Sequence, residues 1–270
     1  MRQCRINKTD IGGDAPVRVM GVINCSPESF YNDSFIPTNE IHQKAVEMVE
    51  AGADIIDVGA RSTAPHAQAI SQTMEAERID AALKELDGTG FTISVDTMSP
   101  WVLDACVKHD IHAVNDITGF ASPAYAKRVA DAGLPAILMA TDYQPGDAVG
   151  LDATHAALAN VVKRCADAGV DNYVLDPAVG LWVPLRSFDD DWEICRNFES
   201  FLKYDRPVLA AVSRKSFIGD LVSREPQDRL AGSLAVTLTL LEKGASMVRT
   251  HDVRETVDTI RVYERLVKQG

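Results

Sequence analysis

Two short stretches of this chain place cations where an apolar run ends. Ser213-Arg214-Lys215-Ser216-Phe217-Ile218-Gly219 directly follows one such run, and Val248-Arg249-Thr250-His251-Asp252 closes another near the C-terminus. Lys215, Arg249 and His251 together describe an anion site. The pocket's sign is set by this local cluster, because more distant acidic side chains are screened beyond ~8–10 Å at physiological salt. An anion such as pyrophosphate is the expected ligand. Ser216 opens the segment after its run, where helix N-terminal amides favour an anion by roughly 0.3–1 kcal/mol. Asp96, Asn115 and Asp176 offer the complementary chemistry. Their planar carboxylate and amide groups suit a flat heterocycle with a guanidine-like edge, since a carboxylate accepts two parallel N–H bonds from such an edge. Read singly, each Asp is equally a helix N-cap, and Arg249 is equally the partner of Asp252 in a surface ion pair.

These residues need elements to bring them together. Short β-branched apolar runs recur at 17–23, 54–58, 92–95, 113–117, 135–139, 173–175, 207–212 and 246–249. Each is apolar on both faces, as a buried parallel strand is, and the connections are long enough for crossover helices. Amphipathic stretches such as 40–49 and 121–132 fill the connections, and Gly52, Gly133, Gly169 and Gly244 stand where helix C-caps would. The fold class read from this alternation is α/β, a (β/α)8 TIM barrel, as a single domain over residues 1–270. An open doubly wound sheet is the other reading, but no GxGxxG follows the first run. In a barrel the C-terminal strand ends surround one mouth. Asn24, Asp57 with Arg61, Asp96, Asn115 with Asp116, Asp176, Ser213 to Ser216, and Arg249 with His251 all fall at such ends. Residues 26–34 form a polar loop with aromatics, of the composition of a lid, and residues 62–66 a second loop.

Composition narrows the ligand class. The chain has 270 residues, 46% of them hydrophobic, which is enough for one large barrel core. A net charge of −12 disfavours nucleic acid and acidic membrane surfaces, both of which need clustered positive charge. Cys4, Cys25, Cys106, Cys165 and Cys195 are scattered without CxxC or Cys/His metal spacing, so a disulfide framework and a zinc site are not expected. No apolar signal core or membrane-length run is present, and the expected setting is the reducing cytoplasm.

With these residues assembled, the sequence resembles the dihydropteroate synthase family of pterin-binding barrels. The matching stretches run in order from Met20-Gly21-Val22-Ile23-Asn24 and Ser26-Pro27-Glu28-Ser29-Phe30, through Asp54-Ile55-Ile56-Asp57-Val58-Gly59, Ser94-Val95-Asp96-Thr97 and Val114-Asn115-Asp116-Ile117. They continue in Leu175-Asp176-Pro177 and the two cationic segments. The resemblance implies condensation of 6-hydroxymethyl-7,8-dihydropterin pyrophosphate with p-aminobenzoate, release of pyrophosphate, Mg²⁺ as cofactor, and a homodimer. It also implies that Asp96, Asn115, Asp176 and Lys215 hold the pterin. Asn24, Arg249 and His251 would hold the pyrophosphate and its metal, with Asn24 as the metal residue, and Ser216 would meet the arylamine carboxylate. Thr63 and Met139 join the substrate-binding candidates, and Asn32 joins Lys215, Arg249 and His251 among the catalytic ones.

The departures gather on the acceptor side. Asn32 follows Phe30-Tyr31 where the family usually has Asp, with Asp33 beside it. Ala64 and His66 replace the arginine and glycine of the usual Ser-Thr-Arg-Pro-Gly. Ala178, Leu181 and Trp182-Val183-Pro184 replace the usual sixth loop, and Met139-Ala140-Thr141 the usual Met-His-Asn. The implied acceptor is therefore p-aminobenzoate or a related arylamine, in a folate or a methanopterin-type pathway. A pterin-dependent methyltransferase and a non-catalytic pterin-binding protein are the alternatives. The first has no evident use for the Ser-Arg-Lys-Ser anion loop.

Overall fold

Apolar side chains on both faces of short strands have one economical solution, a sheet closed on itself with helices outside. The computed structural model, which describes residues 1–27, 35–61 and 70–267, adopts it. The barrel strands are β3 (Arg18–Asn24), β4 (Ile55–Gly59), β5 (Ile93–Asp96), β6 (Ala113–Asp116), β7 (Ala136–Met139), β8 (Tyr173–Asp176), β9 (Leu209–Ala210) and β10 (Met247–Thr250). All neighbours pair in parallel, in the order β8-β7-β6-β5-β4-β3-β10-β9. A parallel bridge between Leu175 and Val208, with the Leu175 amide donating to the Pro207 carbonyl at 2.9 Å, joins β8 to β9 and closes the ring. This is the (β/α)8 barrel expected from the alternation of runs.

The two-residue period of a strand sorts side chains into two layers. Met20, Ile55, Ala113, Ile137, Val174, Leu209 and Met247 pack with one another in the inner layer. Val19, Ile56, Val95, Val114, Leu138, Leu175 and Val248 pack in the other, against the helices. Those helices are α1 (Ile41–Glu50), α2 (Gln72–Lys84), α3 (Pro100–Cys106), α4 (Pro123–Asp131), α5 (Gly150–Ala168), α6 (Phe188–Arg196), α7 (Ser216–Val222), α8 (Leu230–Glu242) and α9 (Val253–Val267). Serines start several of them. Ser99 and Ser122 accept the Val102 and Tyr125 amides, each with proline next in sequence, and Ser187 forms a capping box with Asp190. Gly169 ends α5 in the left-handed region at φ 76, as its position predicted.

The structure adds two elements to the sequence reading and shortens one. β1 (Cys4–Ile6) and β2 (Thr9–Ile11) form an antiparallel hairpin. Its Cys4, Ile6 and Ile11 join the inner layer of the barrel. Polar contacts tie it to the residues where barrel strands begin: the Arg5 amide donates to Asn172 Oδ1 (2.7 Å), and Arg18 Nε donates to the Asp10 carbonyl (2.8 Å). The hairpin therefore plugs the N-terminal end and leaves the opposite mouth for ligand. β9 was expected over 207–212 but holds ladder geometry only at Leu209–Ala210, because its flanks meet β8 through a single bridge.

Candidate active site

Strand register sets the heights of the polar side chains at the mouth. Asn24 is paired with Gly59, Gly59 with Asp96 and Asp96 with Asn115, so these positions share one level across four adjacent strands. Met139 and Asp176 are likewise level on β7 and β8. Met139 is 1% exposed and is a wall residue.

One level deeper stands Asp57, fully buried on β4. Asn115 Nδ2 donates to its Oδ2 at 3.0 Å, and Arg249 Nε donates to the same oxygen at 2.8 Å. Arg249 Nη2 donates to Asp96 Oδ2 at 3.1 Å. Asn115, Asp57, Arg249 and Asp96 thus form one connected polar chain around the barrel. Burial and then the Asp57 charge push the Asp96 carboxyl up to about 7, against the pull of Arg249. Arg249 itself is raised, its carboxylate neighbours Asp57 and Asp96 outweighing burial. Asp57 Oδ1 and the hydroxyl of its register partner Ser94 are buried with no hydrogen-bond partner among the described residues. Sequence reasoning named Asp57 as a strand end but left it out of the site. Its signal was a carboxylate within an apolar strand on the same face as Ile55, which needs a buried cation to be tolerated.

Asp176 and Lys215 face each other across the other half of the mouth. Asp176 Oδ1 accepts the Ala178 amide at 2.8 Å. Burial raises the Asp176 carboxyl while Lys215 lowers it, and burial lowers the Lys215 ammonium while Asp176 raises it. The Lys215 ammonium donates to the Val179 carbonyl and lies 5.4 Å from the Trp182 ring centroid. The buried Arg186–Asp191 ion pair (2.9 Å) holds the loop between them, with the Gly180 amide donating to Asp191 Oδ1 at 2.7 Å.

Side chains also zip together the two cationic segments. Arg214 donates to both carboxylate oxygens of Asp252, at 2.9 and 2.5 Å. Asp252 is therefore the partner of Arg214, and the ion pair considered for Arg249 goes to Asp57 and Asp96 instead. The Ser213 hydroxyl lies 3.1 Å from His251 Nδ1 and accepts the His251 amide at 3.3 Å. Burial and then Arg249 push the His251 imidazole down to about 4, so it is neutral at pH 7. Ser216 is exposed at the first position of α7. Asn24 Oδ1 accepts the Ser26 amide at 3.0 Å.

The N-cap reading fails for Asp96 and Asp176, since Ser99 and Ser187 cap the helices that follow. It holds in kind for Asp116, which points away from Asn115's face and ties the next loop through Thr118 and the Phe120 amide (2.9 Å). Arg61 turns toward Glu75 of α2, at 3.8 Å. Asn32 and Thr63 lie outside the described residues.

Carboxylate and amide groups beside cations, at the mouth of a closed barrel, suit a flat polar ring with N–H donors. The family model described as pterin binding enzyme matches residues 20–251. The chain belongs to the pterin-binding enzyme family. Among relatives of this pterin-binding enzyme, dihydropteroate synthase of Escherichia coli (strain K12) is 33% identical over 260 residues, covering 91% of this chain and 90% of that protein. Dihydropteroate synthase of Bacillus subtilis (strain 168) is also 33% identical, over 93% of this chain and 89% of the relative. Among solved structures, dihydropteroate synthase from Coxiella burnetii in complex with pteroic acid superposes with a TM-score of 0.87 at 28% identity, over 98% of both chains. That of Xanthomonas albilineans with 4-aminobenzoic acid gives 0.86 at 31%, over 98% of this chain and 97% of the other.

Proposed function

We propose that this chain is a dihydropteroate synthase. It is a transferase of folate biosynthesis that condenses 6-hydroxymethyl-7,8-dihydropterin pyrophosphate with p-aminobenzoate or a closely related arylamine. The observation that carries the reading is the connected chain Asn115–Asp57–Arg249–Asp96, rising from buried Asp57 and Asn115 to half-buried Arg249 and Asp96 near Asp176 and Lys215, in a barrel of the pterin-binding family. Relatives that share a third of its sequence bear that name, and the solved neighbours hold pteroic acid and 4-aminobenzoic acid.

In this reading Asp96, Asn115 and Asp176 take the amino and ring N–H edge of the pterin, and Lys215 takes its carbonyl side. Donors of Arg249 not used by Asp57 and Asp96 turn to the pyrophosphate, a division possible because a guanidinium carries five N–H groups. His251 adds a further hydrogen bond to the anion in this reading. The amine nitrogen bonds to the pterin methylene carbon as the bond from that carbon to the pyrophosphate oxygen breaks, and the amine proton leaves with solvent or pyrophosphate. Fixed cations aimed at the departing oxygen are worth most here, because charge grows there in the transition state. Ser216, exposed at the first position of α7, would meet the acceptor carboxylate in this reading. Asn32 and Thr63 are assigned to the same side by resemblance alone.

The donor set fits a Mg²⁺ ion that arrives on the substrate. Asn24 offers a neutral carboxamide oxygen at the mouth, which accepts the Ser26 amide, and the described residues contain no cluster of three or more His, Cys, Asp or Glu able to hold a metal. Mg²⁺ is commonly held this way, by one or two protein oxygens plus substrate phosphates and water. When bound, it would neutralise charge on the leaving pyrophosphate. A homodimer would have apolar surface to use: Leu221 of α7 and Val262 and Leu266 of α9 are exposed, on helices packed against α8. No helix of the described residues is long and apolar enough to cross a membrane, and a cytoplasmic setting is proposed with the folate role.

Mass-spectrometric detection of 7,8-dihydropteroate after incubation of the protein with both substrates and Mg²⁺ tests the assignment. Its absence with every arylamine offered contradicts it. Arg249→Ala should weaken binding of the pyrophosphate-bearing pterin far more than that of the plain pterin; equal losses in calorimetry remove Arg249 from the anion site.

A further inference from the structure

A layered stack at the mouth joins three of the loops that follow barrel strands. Gly146, between β7 and α5, lies against Trp182, between β8 and α6: a Cβ at Gly146 would stand 2.1 Å from Trp182 Cβ, so only glycine admits the indole there. Trp182 Nε1 donates to the Ala178 carbonyl at 3.0 Å, and the Ala178 amide donates to Asp176. The ring is thereby tied to the residue that orients the pterin-facing carboxylate. The Lys215 ammonium, from the loop after β9, sits 5.4 Å from the indole centroid, within cation–π range. Gly180 makes room beyond it, for a Cβ there would come 3.2 Å from Lys215 Nζ and 3.3 Å from Cδ.

A lysine carries four flexible side-chain bonds, and holding its ammonium in one place opposes roughly 1.5–2 kcal/mol of rotamer entropy. The charged groups around it are Asp176 on β8, Asp191 on α6, Arg249 on β10 and Arg186 in the loop, two of each sign. They do not by themselves fix where the ammonium sits. The Val179 carbonyl and the Trp182 face do so by contact.

We propose that Trp182 is a positioning residue of this enzyme, holding the Lys215 ammonium at the pterin site beside Asp176. The proposal rests on the dihydropteroate synthase reading and adds to it a residue that acts through Lys215.

A double-mutant cycle read by calorimetric titration with 6-hydroxymethyl-7,8-dihydropterin pyrophosphate tests it. Trp182→Leu, which keeps apolar bulk but removes the ring, is expected to weaken binding roughly tenfold, between the sizes of an exposed and a desolvated cation–π contact. Trp182→Phe should recover most of that loss. In a Lys215→Met background, Trp182→Leu should cost no more than about twofold further, because the partner is already gone. Wild-type affinity in Trp182→Leu, or losses that simply add in the double variant, would overturn the proposal while leaving the function intact. Failure of the wild-type protein to bind this ligand would overturn the function and the proposal together. If Trp182→Leu does not fold by circular dichroism, Gly146→Ala displaces the indole from the neighbouring loop. The same loss, absent in the Lys215→Met background, is expected there, and additive losses again overturn the proposal.

Discussion

Asp57 does the most to define the site while touching no solvent. It is 0% exposed, and its Oδ2 accepts from both Asn115 and Arg249. Removing Asp57 leaves the Asn115 amide and the Arg249 Nε donor without their acceptor, although Arg249 keeps Asp96. Asp57→Ala should therefore lower stability by about 1–3 kcal/mol, and should abolish tight pterin binding because Arg249 and Asn115 lose their anchor. An unchanged denaturation midpoint would contradict this. At Asp176 the expected effect is narrower. Asp176→Ala should weaken pterin binding by roughly 1–3 kcal/mol by leaving ligand donors unpaired, with calorimetry as the check. Sequence reasoning proposed Asp96, Asn115, Asp176, Lys215 and Arg249 from their types and positions at strand ends, and the barrel brings those ends to one mouth. It could not reach the pairing among them, since Arg249 and Asp57 are 192 residues apart and only barrel closure makes them neighbours.

At the level of elements, periodicity located the barrel strands well because inner and outer layers are both apolar. It failed for the hairpin of β1 and β2, whose strands have three residues each, too few to show a period, and for the ends of β9, where apolarity continues past the hydrogen-bond ladder. Between α2 and the end of α3, His109 bridges two carboxylates: Nδ1 to Asp87 at 2.7 Å and Nε2 to Asp80 at 3.0 Å. Lys84 also contacts Asp80 (2.6 Å), and Asp110 donates its amide to Asp87. Burial opposes the charged imidazole, but the bonds to Asp87 and Asp80 prevail and raise it above its ordinary 6.5. A raised histidine adds stability that is complete below 6.5 and is lost as pH rises through its folded value. His109→Gln should thus be less stable than the wild type at pH 6 and closer to it at pH 9. A difference independent of pH, in urea denaturation across that range, would contradict the staple.

The whole molecule separates stability at one end of the barrel from chemistry at the other. The hairpin fills the N-terminal end with Cys4, Ile6 and Ile11, all 0% exposed, while the polar chain occupies the opposite mouth. Ile6→Ala should cost about 2–5 kcal/mol of stability and leave KM for the pterin substrate unchanged at temperatures where the variant is folded. A large rise in KM would show that the plug shapes the mouth. The acceptor side was the least legible part of the sequence: Asn32 and Thr63 lie outside the described residues, and the role of Trp182 depends on contacts from three separate loops. The central claim is the condensation itself, and the most direct measurement is pyrophosphate release by the purified protein with 6-hydroxymethyl-7,8-dihydropterin pyrophosphate and Mg²⁺, with and without p-aminobenzoate. Saturable release that requires p-aminobenzoate is predicted. Tight pterin binding without release for any arylamine, or release indifferent to the amine, would contradict the account.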